Sequence, residues 1–161
     1  MRFGTAACSA SEPLGSSAPE TGARAHPNSA EADRKEPDPS MFVLIVDDDP
    51  NLLDVTRFVI ESEGIAVETA RNGEEALALL RAHPLPGLVL LDLMMPVMSG
   101  WEFLNEVAKD PLLKAIPVVV LTAVERTQAP GAVEILRKPM DLGALIGVVE
   151  RYIRRDDDVG A

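Results

Sequence analysis

Five polar residues stand where apolar, strand-like runs of the sequence end. Asp47 and Asp48 follow the first of these runs, Asp92 follows another, and Thr122 and Lys138 follow the last two. Because ligands of open parallel sheets bind at the carboxyl ends of the strands, these side chains should share one pocket. Carboxylates that can hold a cation, beside a hydroxyl and an ammonium group, are suited to accept a phosphoryl group. The sequence therefore predicts a phosphoryl-transfer site.

The apolar runs alternate with helix-like stretches from residue 41 onward, which predicts an α/β fold with helices on both faces of a parallel sheet. The crossovers between parallel strands are expected to be right-handed, and helices on both faces of an open sheet make the fold doubly wound. The five predicted strands are Phe42–Val46, Ile65–Ala70, Leu88–Leu91, Val118–Leu121 and Val133–Leu136. The predicted helices are Asn51–Glu63, a second that opens at Asn72-Gly73, Gly100–Lys109 with Ser99 as its N-cap, and Asp141–Arg154.

The apolar repeat within each helix predicts the face that packs on the sheet. In the first helix this face is Leu52, Val55, Phe58 and Val59. In the third helix it is Trp101, Leu104 and Val107. In the last helix it is Leu142, Leu145, Ile146 and Val149.

Composition and charge narrow the class of partner. The net charge is −11 and no basic stripe is present, which argues against binding to nucleic acid or to an anionic membrane. No apolar stretch approaches the roughly 20 residues of a membrane span. A single cysteine fits a reducing compartment, so a cytoplasmic location is expected.

The composition changes near residue 40. Residues 1–40 contain five of the thirteen prolines and almost no large apolar residues, so we expect a disordered extension. Met41 directly precedes the first strand, so translation from Met41 is a second hypothesis for this region. Residues 41–155 are predicted to form one domain, and residues 156–161 a short acidic tail.

Four motifs occupy the strand ends in order: Val46-Asp-Asp-Asp-Pro50, Leu90-Leu-Asp-Leu-Met-Met-Pro96 with Ser99-Gly100, Leu121-Thr-Ala123, and Arg137-Lys-Pro139. Together they resemble the receiver domain of two-component response regulators, over about residues 41–153. The resemblance is to stand-alone receivers of the chemotaxis type. It implies a flavodoxin-like fold with strand order 2-1-3-4-5.

The resemblance also implies a role for each strand-end residue. Asp92 would accept the phosphoryl group, and Thr122 and Lys138 would bind its oxygens. A Mg²⁺ ion would be held by Asp47, Asp48, Asp92 and the backbone carbonyl of Met94.

As a receiver, the chain would act as a single-domain response regulator. Its phosphoryl group would come from a sensor histidine kinase or a histidine phosphotransfer protein, and a downstream target protein would recognise the phosphorylated form. Its own chemistry would be limited to self-phosphorylation and autodephosphorylation. In receivers, the positions of Met94 and Val124 flank the path of the hydrolytic water. Neither side chain can orient a water, so slow loss of the phosphoryl group is expected.

The chain departs from the family pattern after Thr122. Fifteen residues separate Thr122 from Lys138, fewer than is usual, and they include Pro130-Gly131. The fourth helix is therefore expected to be shortened or missing. Ile135 replaces the Tyr or Phe usual three residues before the lysine. The output face built from helix four, strand five and helix five should therefore be remodelled.

A second hypothesis comes from haloacid-dehalogenase-type phosphatases. In that class Asp47 would be the nucleophile and Asp49 the general acid, with Thr122 and Lys138 in later roles. This hypothesis leaves Asp92 without a function. The simpler interpretation of Asp49 is a helix N-cap, because Pro50 and the first helix follow directly.

Overall fold

The computed structural model describes residues 41–82 and 84–154. The extension predicted for residues 1–40 and the tail predicted for residues 156–161 lie outside the described residues. The elements are β1 Phe42–Val46, α1 Pro50–Ser62, β2 Ala66–Ala70, α2 Gly73–Ala82, β3 Leu88–Asp92, α3 Gly100–Ala108, α4 Pro111–Lys114, β4 Val118–Thr122, β5 Glu134–Arg137 and α5 Leu142–Ile153. Of the helices in these two ranges, none combines the length and the hydropathy of a membrane span.

The five strands form one parallel sheet in the order β2-β1-β3-β4-β5. The predicted α/β class and the flavodoxin-like strand order are confirmed. The bounds predicted for the strands and for α1, α3 and α5 differ from the observed ones by one residue at most at each end. The strands could be predicted this closely because β1, β3 and β4 are continuous apolar runs with a polar residue at or just after the end. The β2 and β5 strands are short segments that mix apolar with charged residues.

The core has two apolar layers, one on each face of the sheet. One layer packs α2 and α3 on the sheet and includes Phe103, which is fully buried. The other layer packs α1 and α5 on the opposite face, around Ile60 and Leu145. The β3 and β4 strands are buried along their whole length. This is why their sequences are continuous apolar runs rather than alternating ones.

The face of α1 predicted to pack on the sheet is wrong in part. Leu53, Thr56 and Ile60 are the buried residues, whereas Val55 is exposed and Phe58 is 74% exposed. The other two residues of the predicted stripe are half-buried. The helix carries apolar residues on two faces, and the face that packs on the sheet is the one that includes Thr56. A count of apolar spacings alone favours the other face.

Two further residues that were predicted to face the sheet do not do so. Trp101 is 36% exposed, and Phe103 is the aromatic residue of α3 that is buried. The Trp101 indole Nε1 donates to the Gln128 carbonyl oxygen at 3.1 Å, so the ring lies against the segment that follows β4. Leu142 is the first residue of α5 and is exposed as well.

The prediction of a shortened or missing fourth helix is confirmed. All residues from 123 to 133 are described, and none of them is helical. The element labelled α4 here is not that helix: it is a single turn that lies before β4, not between β4 and β5. The connection between β4 and β5 is thus a loop where the rest of the fold uses a helix.

Gly100, the first residue of α3, is required by a close approach to β3. Its N–H donates to the Leu93 carbonyl oxygen at 3.0 Å. A Cβ at this position would lie 2.5 Å from the Asp92 carbonyl oxygen and 2.7 Å from the Leu93 Cα. These are backbone atoms, so a side chain fits only if the backbone at the end of β3 moves.

We expect Gly100→Ala to lower the free energy of unfolding by about 1–3 kcal/mol, because the methyl group must displace that backbone. The matched control is Gly147→Ala in α5, where an added Cβ has no neighbour within 4 Å. That change should raise the free energy of unfolding by about 0.5–1 kcal/mol through helix propensity. Urea denaturation measures both. Equal effects of the two substitutions would contradict the role assigned to Gly100.

Candidate functional site

Three carboxylates meet at the carboxyl ends of two neighbouring strands. Asp47 directly follows β1, and Asp92 is the last residue of β3. One oxygen from each of these carboxylates and one from Asp48 lie within 4.8 Å of one another. Asp47 and Asp92 are buried, whereas Asp48 is exposed. The structure therefore brings together three of the predicted site residues.

Lys138 supplies the positive charge of this cluster. Its Nζ donates to Asp47 Oδ2 at 2.7 Å and lies 3.6 Å from Asp92 Oδ1. Its backbone N–H donates to the Thr122 carbonyl oxygen at 2.9 Å, and the peptide bond to Pro139 is cis. The cluster contains three carboxylates and one ammonium group, so it keeps a net negative charge and suits a cation.

The pKa of Asp92 is raised above its ordinary value, first of all by burial of the carboxyl group. The charges of Asp47 and Asp48 raise it further. Lys138 and the N–H of Met94 act in the opposite direction, because both favour the ionised carboxylate. The protein alone therefore stabilises the ionised form of the Asp92 carboxyl group less well than water does.

Thr122 lies beside this cluster at the end of β4, the strand next to β3. It is buried, and its Oγ1 accepts a hydrogen bond from the N–H of Val124 at 3.1 Å. A hydroxyl that accepts one hydrogen bond still has a hydrogen to donate. Thr122 can therefore donate to an anionic group held at the strand ends.

Met94 lies in the turn after β3, beside Asp92. Its backbone N–H and Asp92 Oδ1 are in contact, with an N···O distance of 3.4 Å. Its side chain is exposed. The use of its carbonyl oxygen as a metal ligand stays a prediction.

Asp49 is engaged in helix capping, as the sequence predicts. Its Oδ1 accepts from the N–H groups of Asn51 and Leu52, at 2.9 and 3.4 Å. Its own N–H donates to Asp47 Oδ1 at 2.9 Å, which helps to orient that buried carboxylate. A side chain that caps α1 in this way is poorly placed to serve as a general acid.

Sequence reasoning missed the contribution of two residues near the site. Gly100 was recognised only as part of a motif, although its close contact with β3 fixes α3 against the strand that carries Asp92. Trp101 was assigned to the core, although its indole contacts the β4–β5 segment. The Ser-Gly-Trp order at a helix start was a usable signal for Gly100. The contact of Trp101 with the β4–β5 segment depends on tertiary packing and has no such signal.

We expect Asp49→Ala to lower the free energy of unfolding by about 1 kcal/mol, because α1 loses its N-cap acceptor. Asp49→Ser removes the same charge but keeps a capping oxygen, so its loss should be smaller. Urea denaturation of both variants measures the difference. The capping role is refuted if the two variants have the same stability.

A comparison with protein families identifies the family to which this chain belongs. The model of the family described as "Response regulator receiver domain" matches residues 43–150. The chain belongs to this family. It is a receiver domain, the part of a two-component signalling protein that accepts a phosphoryl group. The matches give no support to the phosphatase hypothesis.

Individual relatives agree with this assignment. The receiver is 39% identical over 118 residues to an uncharacterized 14.6 kDa protein from the sodA1 3' region of Leptolyngbya boryana, covering 70% of this chain and 89% of the relative. It is 33% identical over 117 residues to the polar-differentiation response regulator DivK of Brucella anthropi, covering 69% and 94%.

A solved structure, the response regulator TrrA of Thermotoga maritima in complex with Mg(2+)-BeF, is 31% identical with a TM-score of 0.63, covering 70% of this chain and 98% of that one. Several other curated relatives are longer, and the chain spans about half of their length.

Proposed function

We propose that this receiver works as a single-domain response regulator that is phosphorylated on Asp92. The supporting observation is that Asp92 is buried beside Asp47 and within reach of the Lys138 ammonium, at the carboxyl edge of the sheet. The phosphoryl group would come from a sensor histidine kinase or a histidine phosphotransfer protein. The phosphorylated form would then be recognised by a downstream target protein.

The donor set of the cluster fits Mg²⁺. All candidate ligands are oxygens, and one from each of Asp47, Asp48 and Asp92 can point to a common position. The backbone carbonyl of Met94 is a further candidate. A hard divalent cation prefers such ligands, and when bound it would supply charge neutralisation between the anionic nucleophile and the anionic donor.

The transfer itself requires little covalent chemistry from the protein. An oxygen of the Asp92 carboxylate attacks the phosphorus, an O–P bond forms, and the P–N bond to the donor histidine breaks. The leaving imidazole nitrogen takes up a proton. Lys138 binds a phosphoryl oxygen as charge builds up, and the Thr122 hydroxyl donates to another once the group is attached. Self-phosphorylation from small phosphodonors and autodephosphorylation follow the same geometry.

The extent and the location of the receiver belong to the same proposal. We assign residues 41–155 to the receiver domain and residues 1–40 and 156–161 to segments outside it. The proposed donors transfer phosphoryl groups in the cytoplasm, so this receiver would act there. Its acidic composition favours protein partners over nucleic acid or membrane surfaces.

Phosphorylation should depend on Asp92 and on a divalent cation. After incubation with acetyl phosphate and Mg²⁺, we expect one acid-labile, hydroxylamine-sensitive phosphoryl group per chain by intact-protein mass spectrometry. Asp92→Asn and addition of EDTA should each abolish it, and Asp49→Ser is the control that should still be labelled. If Asp92→Asn is labelled and Asp47→Asn is not, Asp47 is the nucleophile and the proposal is wrong.

The phosphorylated receiver should be long-lived, because Met94 and Val124 lack groups that can orient a water. We expect the double change Met94→Asn with Val124→Glu to speed loss of the phosphoryl group by at least about tenfold. The control pair Met94→Leu with Val124→Ile should leave the rate nearly unchanged. The rate is followed by mass spectrometry after removal of the phosphodonor. An unchanged rate in the polar double variant contradicts this explanation.

A further inference from the structure

One face of β5 is not covered by any helix or strand in the part of the chain that the structure describes. Side chains alternate along a strand, and Glu134 and Leu136 face α5. Glu134 forms an ion pair with Arg151 of α5, and Leu136 packs with the apolar layer on that side. Val133, just before β5, and Ile135 therefore point to the opposite face, where they are 53% and 40% exposed.

The absent helix accounts for this exposure. In parallel sheets both faces are normally covered, and the buried residues of β3 and β4 obey this rule. The residues between β4 and β5 form a loop, so none of the helices within residues 41–82 and 84–154 packs over β5 on the side of α3. Val133 and Ile135 thus form an exposed apolar strip at a place where the fold usually has a helix.

The positively charged residue Arg137 lies next to the apolar strip, on the side toward the carboxylate cluster. Arg137 follows Ile135 by two residues on the same face and is exposed. Among residues 41–82 and 84–154, no carboxylate forms an ion pair with it. Because Arg137 lies opposite Thr122 in the β4–β5 register, the charge marks the end of the strip nearest the site.

The loop that replaces the helix also borders a recess. A cavity of about 300 Å³ lies between α3 and this loop, lined by Trp101, Leu104, Asn105, Ala108 and Pro130. Its walls are largely apolar. It offers a place for an apolar side chain beside the segment that leaves β5 uncovered.

We propose that an amphipathic helix from a partner protein packs on the uncovered face of β5 and takes the place of the absent helix. Its apolar stripe covers Val133 and Ile135, and an acidic side chain near one end pairs with Arg137. A helix is the element that covers a parallel sheet, and the exposed Arg137, which pairs with no carboxylate of the described residues, favours an acidic partner. This docking surface goes beyond the proposed function and does not depend on phosphorylation.

Two other occupants fit the face less well. A second copy of the chain also carries a net charge of −11, and a symmetric contact would place this arginine face against itself. Residues 1–40 contain five prolines, and Phe3 and Leu14 are almost their only large apolar residues. Their sequence provides no apolar stripe of the required length.

The test uses the full chain and two synthetic helical peptides of about 15 residues, both without tryptophan. Each peptide carries leucines at i, i+3, i+4 and i+7, and one ends in glutamate where the other ends in lysine. Binding is measured by calorimetry and by the fluorescence of Trp101, the only tryptophan of the chain. No phosphodonor is present, so failure here leaves the phosphorylation proposal untouched.

We expect the glutamate peptide to bind about fivefold more tightly than the lysine peptide, as for an exposed ion pair of about 1 kcal/mol. Ile135→Asp and Val133→Asp should each weaken binding at least tenfold, and Arg137→Glu should reverse the peptide preference. The matched control is Phe58→Asp, which changes an exposed apolar residue of α1 and should have no effect.

Four results would overturn the proposal. The first is that the folded chain binds neither peptide, and the second is that Phe58→Asp rather than Ile135→Asp abolishes binding. The third is peptide binding that appears only after Phe3→Asp with Leu14→Asp, because the chain's own segment would then be the occupant. The fourth is self-association of the chain that Ile135→Asp removes, because a second copy would then be the occupant.

Discussion

The contact of Lys138 with two buried carboxylates is the constraint on which the carboxyl edge of the sheet depends. Burial of Asp47 and Asp92 is unfavourable unless a positive charge lies close by, and Lys138 Nζ lies 2.7 Å from one and 3.6 Å from the other. The lysine is 91 residues from Asp47 in sequence and reaches across from the strand at the edge of the sheet. Loss of either partner would leave a buried charge unpaired, so strand order and site geometry depend on each other.

The same arrangement links the site to the loop that replaces the fourth helix. Thr122 stands at one end of that segment and Lys138 follows β5 at the other, and their backbones are joined by a 2.9 Å hydrogen bond. Trp101 contacts the middle of the segment through Gln128. Thr122 directly precedes the loop, and Lys138 directly follows the strand into which the loop leads. Where receivers usually carry a fourth helix, the described part of this chain has a loop and a strand with an exposed face.

The apolar runs were sufficient to predict a parallel sheet and the convergence of the carboxylates, whereas the strand order came from the resemblance to receiver domains. Continuous apolar runs that end in Asp47 or Asp92 leave few alternatives for a parallel sheet. The sequence was not sufficient to orient α1, because Leu53 and Ile60 on one face and Val55 and Phe58 on another give competing repeats. Only packing against the sheet decides between such faces.

The Ser99-Gly100 motif drew attention to Gly100, but its close approach to β3 depends on the distance between two elements and could not be predicted from the sequence. The missing helix was predicted from chain length, since too few residues separate Thr122 from Lys138. The exposure of Ile135 that follows from it became visible only in the structure.

The most direct test of the central claim is a crystal structure of the full chain with Mg²⁺ and beryllofluoride. The account predicts beryllofluoride bonded to Asp92, Mg²⁺ coordinated by oxygens of Asp47, Asp48 and Asp92, directly or through water, and Lys138 Nζ moved to a fluorine atom. The Thr122 hydroxyl should donate to a second fluorine. Beryllofluoride bonded to Asp47, or a metal bound without Asp92, would contradict the account.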